Sequence, residues 1–179
     1  YFRDEREFRN VHLCELPNGD FGHEMARLLV FSAYQSELYA QLTASTDGTL
    51  AAIAAKALKE VSYHRDHATQ WVLRLGDGTQ ESHARMQAAV DAVWPYTAEL
   101  FEADRLLDEL VESGTAADPV AMQPPWSAYV TSVLQQATLG VPAAVPALTG
   151  GRRGIHTEHM GYLLAEMQHL ARSHPGATW

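Results

Sequence analysis

Residues 49–75 read TLAAIAAKALKEVSYHRDHATQWVLRL. The stretch contains no glycine or proline, is dense in alanine and leucine, and spaces its apolar residues at helical rather than alternating intervals. It predicts one unbroken helix, which at the usual rise spans about 40 Å. Asp47-Gly48 precedes it and Gly76-Asp77-Gly78 follows it, both helix-ending punctuation.

The same punctuation divides the rest of the chain. Residues 1–20 form an irregular lead of mixed charge and aromatics that ends in the turn Pro17-Asn18-Gly19-Asp20. A first helix is expected from Phe21 to Ala44, ahead of the Thr49–Leu75 helix. A third is expected from Thr79, a good N-cap, to about Ser113-Gly114, kinked or split at Pro95. Pro124-Pro125 leads into a shorter helix from Trp126 to Leu139. The glycine- and proline-rich connection Gly140–Gly154 leads to a last helix, Ile155–Ser173, closed by Pro175-Gly176. No hairpin signal, repeat or low-complexity tract interrupts this pattern. Long helices with short connections pack as an antiparallel bundle, and the 40 Å helix suits the ferritin-like kind. The fold expected is therefore all-α, one domain over residues 1–179, with a lead (1–20), a bundle (21–173) and a tail (174–179).

Composition narrows the partners. Against 13 Lys and Arg stand 22 Asp and Glu, a net charge of −9, and only Lys56 and Lys59 are lysines. A chain this acidic lacks the clustered cations that nucleic acid or an anionic membrane requires. The one cysteine, Cys14, excludes an internal disulfide and fits a reducing cytoplasm. No apolar run approaches the roughly 20 residues of a membrane span.

Chemistry, if present, should lie in the middle of the helices. Three- and four-residue steps along the first helix give Phe21, Met25, Leu28, Ser32, Gln35, Tyr39 and Leu42. Along the second they give Leu50, Ile53, Ala57, Glu60, His64, His67 and Trp71. Both seams are apolar at the ends and polar at the centre. Carboxylates and histidines turned into a four-helix bundle are how di-iron carboxylate sites are built, with Glu-x-x-His pairs on two of the helices. Here Val61 stands three residues before His64, and Ser32 and Gln35 are poor iron ligands. This reading makes Ser32, Gln35, Glu60, Val61 and His64 a vestigial layer that holds no metal, with Glu60 paired to His64. A competing stripe on the second helix, Ala54, Ala57, Leu58, Val61, Ala68 and Val72, would instead leave Glu60 and His64 as an exposed i,i+4 pair.

Three other motifs stand out. Glu166-Met167-Gln168-His169 has Glu-x-x-His spacing but flanks the apolar stripe Met160, Leu163, Leu164, Met167 and Leu170, which suggests a rim or partner-facing position. His156-Thr157-Glu158-His159 opens the last helix, where capping and packing are the simpler roles. Gly150-Gly151-Arg152-Arg153-Gly154 has the look of a phosphate cradle but lacks the Lys-Ser/Thr of a P-loop, and reads as a flexible basic loop. Trp71, Trp94, Trp126 and Tyr129 fall at core or interface spacings.

Several of these segments together carry a resemblance. They are Arg3–Phe8 through Pro17–Phe21, Lys59-Glu60 with Tyr63-His64, and Arg74–Thr79. The most specific are Gly150-Gly151, Gly154, His156–Gly161 and Leu164–Gln168. The chain resembles, over essentially its whole length, the C subunits of phenylacetyl-CoA 1,2-epoxidase, the multicomponent ring monooxygenase of aerobic phenylacetate catabolism. The resemblance implies a ferritin-like fold and a non-catalytic structural subunit. Such a subunit pairs with and stabilises a homologous A subunit that carries the di-iron centre, alongside further subunits and a reductase. It implies no catalytic residue and no cofactor in this chain, and two upstream helices that this sequence lacks, leaving part of an apolar seam uncovered. Contacts between copies of the chain are a further possibility. Two alternatives remain at this stage: an active di-iron oxidase using Glu60 and His64, with Glu166 and His169 as further candidates and the remaining ligands from an upstream segment, and a module binding a CoA ester through Arg152 and Arg153.

Overall fold

The computed structural model describes residues 2–143 and 149–178. Among them are six α-helices and no strand, an all-helical arrangement compatible with a ferritin-like bundle. They are α1 (Phe21–Leu42), α2 (Gly48–Gly76), α3 (Gln80–Val93), α4 (Arg105–Glu112), α5 (Pro119–Gln136) and α6 (Glu158–Ser173). Among the described residues no helix is long and apolar enough to cross a membrane.

The starts of α1 to α5 are set by side-chain caps. Asp20 accepts from His23 N, Asp47 from Thr49 N and Leu50 N, Thr79 from Ser82 N, Asp104 from Leu107 N, and Asp118 from Val120 N. Pro95 splits the expected third helix outright. α3 stops at Val93, two 3₁₀ turns (Trp94–Tyr96 and Ala98–Phe101) follow, and α4 begins anew at Arg105.

Two expected starts move. α5 begins at Pro119, seven residues before Trp126, with Pro119 in the first turn behind the Asp118 cap. Pro124 and Pro125 lie inside the helix and are exposed; the carbonyls they leave without donors belong to Val120 and Ala121, themselves exposed. α6 begins at Glu158 rather than Ile155, because the preceding residues are committed elsewhere.

The core is one cluster in which α1 is the central element, packed against α2, α3 and α5. Trp126 of α5 ties the two helices together, donating its indole N–H to Val30 O of α1 at 2.9 Å in the interior. Trp126 also packs against Trp94 and Phe101. The lead belongs to this core: Val11, Leu13 and Leu16 are buried in it. α6 stands at the edge, touching the lead near Glu5–Glu7. Of the connection Gly140–Gly154, residues 144–148 lie outside the described residues, as do Tyr1 and Trp179.

Candidate functional site

The structure does not assemble the vestigial metal layer expected between α1 and α2. Glu60 and His64 are exposed, while Val61 is buried together with Ala54, Ala68 and Val72. The competing stripe is therefore the core face of α2. The two stripes differ by one residue, and one residue turns a helical face by about 100°. Alanines recur on several sides of α2, and Ile53 and Tyr63 are apolar yet exposed, so periodicity alone favours neither face. Ser32 is fully buried but satisfied within its own helix, donating to Leu28 O at 2.6 Å. Gln35 is half-buried, and Glu166 and His169 are exposed. Among the described residues, no group of three or more His, Cys, Asp or Glu stands close enough to hold a metal ion. These residues do not fit a di-iron centre.

A different set of polar groups is buried, drawn from segments that read as loops. Glu99, in the second 3₁₀ turn after α3, has 0% exposure. One carboxylate oxygen accepts from His12 N at 2.6 Å, and the other accepts from Gly150 N and Gly151 N, both at 2.9 Å. Glu15, in the lead, is 3% exposed. It accepts from Asn10 Nδ2 (2.7 Å), His156 Nδ1 (2.6 Å), Thr157 N (2.7 Å) and the Thr157 hydroxyl (2.8 Å). Between the two, His12 Nε2 donates to Ile155 O at 2.6 Å. Each carboxylate thus exchanges water for several fixed donors, which is what allows a charge to be buried. Burial acts to raise the Glu15 carboxyl, but the donors from His156, Thr157 and Asn10 outweigh it and hold the group below the usual glutamate range.

The glycines follow from this arrangement. Gly151 approaches the lead so closely that a Cβ there would run into Asn10 O. Gly154 has φ +77° and lies against Arg6 O. The Gly150–Gly154 segment is therefore no flexible loop. Its N–H groups do cradle an anion, but the anion is the protein's own Glu99. Arg152 is also engaged, donating to Glu102 O at 2.8 Å and to Leu100 O and the Tyr34 hydroxyl at 3.3 Å each, while Arg153 is exposed.

Glu15 and Glu99 form a clasp that closes residues 150–157 over the lead and onto the turn after α3. Both carboxylates have their oxygens occupied by protein donors. The clasp ties three separate segments of the chain together. Sequence reasoning passed over Glu15 and Glu99 because a lone glutamate is ordinarily solvated. The available signal was their setting among apolar neighbours, Leu13 and Leu16 for one, Leu100 and Phe101 for the other.

The segments joined by the clasp are the lead and the glycine-histidine stretch that carried the resemblance. The family profile described as phenylacetic acid catabolic protein matches residues 1–179. The chain belongs to that family. It is 45% identical over 179 residues to the C subunit of the 1,2-phenylacetyl-CoA epoxidase of Escherichia coli (strain K12), a match that covers 100% of this chain and 72% of that protein. Within this member of the family, the tail stretch has a definite use: it supplies the amides, the imidazole and the hydroxyl that bury two carboxylates.

Proposed function

We propose that this chain is a non-catalytic structural subunit of a phenylacetyl-CoA epoxidase complex in the cytoplasm, pairing with and stabilising a homologous di-iron catalytic subunit. The observation that carries the reading is on α2. Each helix of a di-iron bundle turns at least a carboxylate inward, two of them as part of a Glu-x-x-His pair, whereas α2 turns Val61 inward and Glu60 and His64 outward. The likeness to an epoxidase component supplies the context, and the exposed apolar residues of α6, Tyr162, Leu163, Met167 and Leu170, supply surface for a partner.

Co-expression of the full-length chain with the di-iron protein tests the proposal. The expected result is a stable complex that survives dilution to micromolar concentration and buries more than about 1,000 Å². A chain that stays free of the di-iron protein at that concentration contradicts it.

A further inference from the structure

A cavity of about 670 Å³ lies between α4 and the core, beside the clasped segment that contributes Arg152. Its floor is apolar: Leu38 and Leu42 of α1, Leu100, and Met122 of α5. Its roof is α4, which contributes Leu106, Leu107 and Leu110. The outer face of α4 carries Arg105, Asp108, Glu109 and Glu112, so the helix is strongly amphipathic. Yet none of its residues is buried, and Leu106 remains 65% exposed. A helix with so one-sided an apolar face requires something apolar beneath it, and among the described residues nothing fills that space.

The cavity also has two cations and one carboxylate in its lining. Arg9 and Arg152 both line it, and among the described residues neither guanidinium is paired with a carboxylate. Arg152 is half-buried and held in place by the Glu102 and Leu100 carbonyls. The Tyr34 hydroxyl, on a residue 8% exposed, accepts from Arg152 at 3.3 Å but donates its own proton to no acceptor among the described residues. Burial raises the Tyr34 hydroxyl pKa against the pull of Arg152, so that proton is retained. Asp104 lines the same cavity and keeps its negative charge, with one carboxylate oxygen capping α4 at Leu107 N.

We propose that this cavity is a binding site for a small carboxylate with an apolar body, its tail between α4 and the leucine floor and its carboxylate on the Tyr34 hydroxyl and the Arg152 guanidinium. The volume falls within the range of small-molecule sites. The complementarity rests on an unspent hydroxyl proton beside a guanidinium that has no carboxylate partner among the described residues, in a chain of net charge −9. Closing α4 over the tail would cover the exposed leucines. The inference is independent of whether the chain carries iron.

Octanoate and the uncharged octanol, titrated calorimetrically into the full-length chain, separate the carboxylate from the tail. Octanoate should bind saturably, one per chain, and about tenfold or more tighter than octanol, the worth of one charge-assisted hydrogen bond. Tyr34→Phe, which removes only the hydroxyl, should weaken octanoate several-fold and leave octanol unchanged. Arg152→Gln should weaken octanoate further, with the α-helical circular dichroism checked for retention. Amide exchange over residues 105–112 should slow when octanoate is bound. Equal affinity for the two probes, indifference to Tyr34→Phe, or no saturable binding because other protein fills the cavity would each overturn the proposal.

Discussion

The middle of α2 and the turn after α3 invite opposite expectations and have opposite fates. α2 carries Glu60, His64 and His67 at helical spacing, the pattern of a buried functional layer, and all three are exposed. The turn after α3 carries a single glutamate, Glu99, with no motif around it, and it is fully buried with three backbone donors. What decides the difference is the supply of donors. A helix interior has already spent its amides on itself, so α2 can offer none to Glu60. Irregular segments such as 150–151 have amides to spare, and a carboxylate is a natural acceptor for them.

The contrast is open to breakage by substitution. Glu99→Ala should have the largest effect, because it leaves the amides of His12, Gly150 and Gly151 buried without an acceptor. A loss of about 3–5 kcal/mol is expected in denaturant unfolding, enough to threaten the fold. Glu15→Ala should follow at about 2–3 kcal/mol, since it strands His156 Nδ1 and the Thr157 amide and hydroxyl. If either variant unfolds like the parent, the clasp is decoration.

Acid sharpens the same point. Glu15 is depressed in the folded protein, so its contribution is complete above the ordinary glutamate value of 4.5 and is lost as the pH falls below it towards the depressed value. Stability followed through that window should decline less steeply in Glu15→Gln than in the parent, because the amide has no proton to take up. Identical slopes would mean that the carboxylate gains nothing from its donors. The smallest effects belong to α2: Glu60→Ala and His64→Ala should each change unfolding free energy by no more than about 0.5 kcal/mol, as for solvated surface positions. A loss of about 1–3 kcal/mol would restore a buried Glu60–His64 pair.

Much of the fold was legible in the sequence. The length of α2, the turn ending at Asp20, the punctuation at Asp47-Gly48 and the Thr79 cap marked α1, α2 and the start of α3 to within a few residues, because caps and glycines act locally. Pro95 marked the break after Val93. Pro124-Pro125 misled, since proline at exposed positions inside α5 costs the helix two donors without ending it. The face of α2 was not legible, because an alanine-rich helix presents small apolar residues on more than one side and the choice falls to what α1 packs against. The clasp was even less so: it joins residues 12, 99 and 151, which are brought together only by the completed fold. The family resemblance picked out the right segments, the lead and the glycine-histidine stretch, without indicating that Glu15 and Glu99 are what they enclose.

A supporting rather than catalytic role requires that α2 has turned the wrong residues inward to bind iron. The decisive measurement is the iron content of the full-length chain, expressed alone in iron-replete medium and compared with its Glu60→Ala/His64→Ala double variant. The expected outcome is no stoichiometric iron in either protein and no oxo-bridged absorption. A full di-iron complement in the parent that disappears in the double variant would overturn that role.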